Sequence, residues 1–79
     1  MTSTSVVKLV SEALKKHTHP AFDAEVLIDV KDLKFTKDWW YVPVHPSKEI
    51  KGIYGYFDVL AQAEEELQSN NLNIQLVPV

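Results

Sequence analysis

The sequence predicts an α+β fold, a two-layer sandwich with elements in the order α-β-β-α-β and both helices packed on one face of a three-stranded sheet. Three observations predict it. Apolar residues recur with helical spacing near each end of the chain, residues 24–31 alternate apolar with polar, and an aromatic run occupies residues 39–44. With 79 residues and no cysteine, the chain reads as one domain over residues 1–79, with residues 1–4 disordered. Connections this short leave the helices no room to reach opposite faces of the sheet.

The first helix is expected from Ser5 to about Lys16. Val6, Val7, Leu9, Val10, Ala13 and Leu14 share one side of the wheel, against Lys8, Ser11, Glu12 and Lys15. Thr4 or Ser5 supplies a cap, and Pro20 ends the segment by disfavouring helical backbone before it. Ala24–Lys31 is the first strand, with Val26, Ile28 and Val30 inward. The pattern then shifts to Leu33 and Phe35, so the strand bulges near Asp32 or ends there, with a turn reaching Asp38.

Trp39–Val44 is the second strand, antiparallel to the first, and it stops at His45-Pro46-Ser47. Tyr56 to about Gln68 is the second helix, with Tyr56, Phe57, Leu60, Ala63 and Leu67 inward. Asn70 and Asn71 close it, and Leu72, Ile74 and Leu76 face inward from a last strand. Pro43 cannot donate to a ladder, which points to an edge position for the second strand and hence to strand order 2-1-3.

Formal charge is −3, and all eight basic residues are lysines. Residues 1–51 hold every lysine and seven acids, whereas the remainder holds four acids and no base. A chain without arginine and without a strongly basic face argues against nucleic acid as a partner. The N-terminal residues carry neither a basic nor an apolar leader region, and no stretch has the length of a membrane span. The expectation is a cytoplasmic protein that uses no membrane, metal or cofactor.

Asp38-Trp39-Trp40-Tyr41-Val42-Pro43-Val44 is the most informative segment. Alternation along a strand forces its aromatics onto both faces. Trp40, Val42 and Val44 form the more uniformly apolar set and belong to the core. Trp39 and Tyr41 then lie on the helix-free face, joined by Leu27 and Val77, and an apolar patch there would serve association. The function read from the residues is a small non-enzymatic interaction module whose partner is a second copy, giving a homodimer, or another protein.

Gly52-Ile53-Tyr54-Gly55 resembles the G-x-x-G loop of the KH RNA-binding domains. The order of elements is also similar to the type II KH arrangement, shared by the BolA-like proteins, if Ser47–Lys51 forms a short helix. The resemblance implies RNA or single-stranded nucleic-acid binding by a loop of Lys48, Lys51, Gly52, Tyr54 and Gly55. The chain departs from that pattern in filling the loop with Ile53 and Tyr54 rather than basic residues. It also lacks the Arg-His-Arg run of the BolA-like proteins, and it places Pro43 in a strand that the KH arrangement keeps central.

No catalytic set is expected. His17, His19 and His45, even with Asp23 or Asp38, lack the spacing of a zinc site. Glu64, Glu65 and Glu66 point in different directions around a helix, so they do not converge as an acid–base pair. No serine sits in a nucleophile elbow.

Overall fold

The computed structural model describes residues 2–50 and 52–79. In chain order the elements are α1 (Ser3–Lys16), β1 (Val26–Ile28), a 3-10 turn (Val30–Asp32), β2 (Lys34–Thr36), β3 (Trp39–Pro46), α2 (Tyr54–Ser69) and β4 (Ile74–Pro78). Helix α1 begins before the expected Ser5, because the Thr2 hydroxyl accepts a hydrogen bond from the Ser5 amide and caps the first turn. Residues 3 and 4 are therefore helical rather than disordered.

The α+β class and the two-layer arrangement hold. Val6, Val10 and Ala13 of α1, Val59, Leu60, Ala63 and Leu67 of α2, Val42 and Val44 of β3, and Ile74 and Leu76 of β4 form one core. All the buried strand residues fall on one parity, so both helices cover the same face. Burying each of the valine, leucine and isoleucine side chains among these is worth about 1.5–3 kcal/mol, so the layer contact is the main source of stability.

The sheet has four strands rather than the expected three, and its order differs from 2-1-3. Strand β3 is central: β1 and β2 pair antiparallel with its two ends along one edge, and β4 pairs parallel along the other. Pro43 does not push it outward, for a geometric reason. The Asp29 amide donates to the Pro43 carbonyl at 2.9 Å, so odd-numbered residues of β3 face the β1–β2 edge. The Pro43 nitrogen thus points toward the Asp29 carbonyl, which accepts the Asp32 amide of the 3-10 turn at 3.0 Å, so the bond that proline cannot donate leaves no acceptor unpaired.

The same interruption explains why Val30, expected inward, is 58 % exposed. The chain resumes as β2 and returns through Lys37 and Asp38, both with positive φ, 52° and 67°. Two such residues between Thr36 and Trp39 make a type I′ hairpin, whose twist matches the strands. The Asn73 side chain donates to the Asp38 carbonyl at 3.1 Å and props the turn from β4.

Helix α2 turns a slightly different face inward than expected. Val59 is buried while Phe57 is 44 % exposed, with its ring 5.7 Å from that of Tyr56. The helix ends in a Schellman motif: Leu72 and Asn71 amides donate to Leu67 and Gln68 carbonyls, with Asn71 at φ 62°. Among the described residues Glu64 pairs with no lysine. Its carboxylate accepts the Leu76 amide at 2.8 Å on the outer edge of β4.

Tyr56 is buried and donates its hydroxyl to the Val44 carbonyl at 3.3 Å. Burial pushes its pKa up from 10.0, and the Asp29 carboxylate adds to the rise. Above pH 10.0 the unfolded chain releases this proton while the folded chain keeps it, so stability falls with rising pH until the folded group also ionises. Tyr56→Phe should cost about 1 kcal/mol near neutrality through the lost hydrogen bond. It should also flatten the decline above pH 10, read as a difference between the two proteins in urea unfolding across pH 8–11 so that lysine titration cancels.

The two glycines of the 52–55 segment should respond oppositely. A Cβ on Gly52 meets nothing within 4 Å, whereas one on Gly55 lies 3.1 Å from His19 Nδ1 and 3.2 Å from both the Ala21 carbonyl carbon and Phe22 Cβ. Gly52→Ala should leave thermal stability within about 0.5 kcal/mol of the parent. Gly55→Ala should lower it by about 1 kcal/mol, since overpacking against backbone exceeds the gain in helix propensity.

Candidate functional site

The helix-free face of the sheet is built from the odd-numbered residues of β3. Trp39, Tyr41, Pro43 and His45 follow one another along the central strand, and all four are half-buried. Their opposite parity carries Trp40, Val42 and Val44 to the helices, as the alternation requires. Register places Leu27 of β1 beside His45, and Val77 of β4 beside Pro43. Leu27 is 42 % exposed, and Val79 just beyond β4 is 73 % exposed. The face thus carries Trp39, Tyr41, Pro43, Leu27 and Val77 across three strands, with His45 between Leu27 and the rest and with Lys34 and Gln75 beside Tyr41.

His45 is the polar element of this face. Its Nδ1 lies 3.1 Å from an Asp29 carboxylate oxygen, with both side chains about a third exposed. An imidazole beside a carboxylate is one component of acid–base machinery, but it works on a substrate only within a cleft. Neither residue lines the groove between α1 and β1. Among the described residues no three His, Asp or Glu side chains converge as a metal site.

His17 and His19 lie on the other layer. The two ring nitrogens of His17 sit 3.2 Å from Gln62 Oε1 and 3.2 Å from Glu66 Oε1, tying the exit of α1 to α2. Gln62 in turn donates to Asp58 at 2.7 Å. His19 Nδ1 accepts the Ala21 amide, so this ring shapes the turn that packs on Gly55. Both histidines have structural partners at the α1–α2 junction.

The 52–55 segment is not an open glycine loop. Gly52 is exposed, but Gly55 lies inside the first turn of α2 and is buried. Ser47–Ile50 form no helix, and Lys51 lies outside the described residues. Lys48 extends toward Asp23, Nζ to Oδ2 3.5 Å. Tyr54, 86 % exposed, projects with Ile53 and Phe57, 51 % and 44 % exposed, from the start of α2. That cluster mixes a loop residue with positions i, i+3 of a helix, so strand and helix periodicity each register only part of it.

Two features of the sheet edges carry no sequence signature. On β4 the outward amides are occupied or absent: the Ile74 amide donates to the Leu72 carbonyl, Glu64 accepts the Leu76 amide, and Pro78 has no N–H, while Gln68 donates to the Ile74 carbonyl. On β1 the outward groups of Val26 and Ile28 border a groove. No helix among the described residues is long and apolar enough to cross a membrane. Comparison with protein-family models, with curated proteins and with solved structures finds no match to this chain.

Proposed function

We propose that the protein is a non-enzymatic interaction module that pairs with a second copy of itself through the helix-free sheet face. The observation that carries this reading is the row of Trp39, Tyr41 and Pro43 along the central strand, with Leu27 and Val77 completing the strip on either side. A face of this kind is complementary to itself under a two-fold axis, and face-to-face sheets pack about 10 Å apart with interleaved side chains. The sealed outer edge of β4 supports the face rather than that edge as the contact, since strand addition needs free amides. Another protein with an apolar strip of the same width is the alternative partner.

Sedimentation equilibrium at about 10–100 μM, a range that resolves associations of ordinary strength, tests the reading. The expected result is a dimer that Trp39→Ala dissociates at least about tenfold, at a stability cost under about 1.5 kcal/mol. Trp40→Ala is the contrasting variant. Its ring packs on the core and lies 4.9 Å from that of Phe35, so truncation should lower stability by about 2–4 kcal/mol. A monomer throughout the range, together with a Trp39 indole that acrylamide does not quench, would overturn the proposal. Salt-sensitive binding of homopolymer RNA at low ionic strength would favour the KH-like reading instead.

A further inference from the structure

The two edges of the sheet are treated differently. Every outward amide of β4 is occupied or absent, as described above. On the other edge, the Asp29 and Ser47 amides donate to the Pro43 and Glu25 carbonyls, which turns odd residues of this segment toward β3. Val26 and Ile28 therefore direct their amides and carbonyls away from the sheet. Among the described residues, no backbone bond outside the ladder and no side-chain bond reaches them.

Beside this edge lies a groove of about 470 Å³ between α1 and β1. Leu14, Phe22, Val26 and Val59 supply its apolar surface, and Ser11 and Lys15 form the helical wall. Lys15 makes no salt bridge among the described residues, whereas Lys16 pairs with Glu66. Glu25 lines the strand side of the same groove, so Lys15 marks the helical wall as its basic side.

We propose that the β1 edge and this groove bind an extended, acidic segment of another protein by strand addition. Outward amides and carbonyls spaced two residues apart are matched by another extended backbone. The incoming strand's alternate side chains then fall into the groove, apolar ones over Leu14, Phe22 and Val59 and an acidic one at Lys15. A second copy of this chain is a poorer occupant. Pairing β1 with its own copy would set the Ser11–Lys15 walls of two α1 helices against each other, lysine to lysine.

The test uses a fluorescein-labelled peptide, acetyl-Val-Thr-Val-Thr-Glu-Thr, whose valines and glutamate share one face when extended. Anisotropy should show saturable binding below about 1 mM. Methylating the backbone nitrogens of one alternate set of peptide residues should weaken binding at least about tenfold, and methylating the other set should not. Lys15→Glu should weaken it by about fivefold or more, with recovery when lysine replaces the peptide glutamate. Val26→Pro, which removes an amide facing away from the ladder, should abolish it while the circular dichroism is retained.

Trp39→Ala should bind the peptide normally, which separates this site from the helix-free face. Absence of saturable binding at 1 mM, equal loss from both methylation patterns, or indifference to Lys15→Glu would overturn the proposal. A dimer of the parent chain that Val26→Pro dissociates would also overturn it, by assigning the edge to a second copy.

Discussion

Every other strand of this sheet hydrogen-bonds to β3 and to no other strand, so the ladder of Trp39–Pro46 is the constraint on which the rest depends. Its even residues aim their amides and carbonyls at β4, as the Trp40 amide on the Asn73 carbonyl at 2.8 Å shows. Its odd residues aim theirs at β1 and β2. Side chains alternate in step, so the residues that bond to β4 are also those that face the helices. A one-residue slip would place Trp39, Tyr41 and Pro43 in the core and expel Val42 and Val44, which are fully buried.

Pro43 works within that scheme because of which side of the strand its nitrogen lies on. A proline removes one donor from one side of a strand and leaves the other side intact. Here the affected side meets the 3-10 turn, while the β4 side keeps an unbroken register from Trp40 to Val44. The break is also what divides the edge into β1 and β2 and turns Val30 outward. The proline thus sits where that edge is segmented, while the opposite edge is blocked in part by side chains of α2. Gln68 and Glu64 lie one turn apart on that helix and reach two of the groups, the Ile74 carbonyl and Leu76 amide, that another strand would use.

Where the sequence was legible, periodicity carried direct physical information. The alternation in residues 39–44 separates Trp40, Val42 and Val44 from Trp39 and Tyr41, and Asn71 announces the left-handed exit of α2. The edge assignment of Pro43 failed because lost donors identify a side of a strand, not its rank in a sheet. Phe57, expected inward, is half exposed and Val59 is buried, because at helical spacing residue 59 lies closer than residue 57 to the face shared by Tyr56, Leu60, Ala63 and Leu67. Gly55 resembled a loop glycine because two glycines three apart look alike whether the second is open or pressed against the turn at His19–Phe22. Edge capping was invisible, since Glu64 meets Leu76 across twelve positions.

The half-burial of Trp39 and Tyr41 bears on how the helix-free face can act. Rings already in contact with neighbours lose less rotational freedom on association than fully exposed ones, so more of the buried area survives as affinity. Tyr54 presents the opposite case: at 86 % exposure it buries more surface on contact but must be immobilised from a free state. The strip on β3 is also held on a strand bonded along both edges, whereas Tyr54 opens a helix whose Ile53 cap makes no side-chain hydrogen bond. Preorganisation therefore favours the sheet face as the proposed contact, even though Ile53, Tyr54 and Phe57 at the start of α2 are the more exposed side chains.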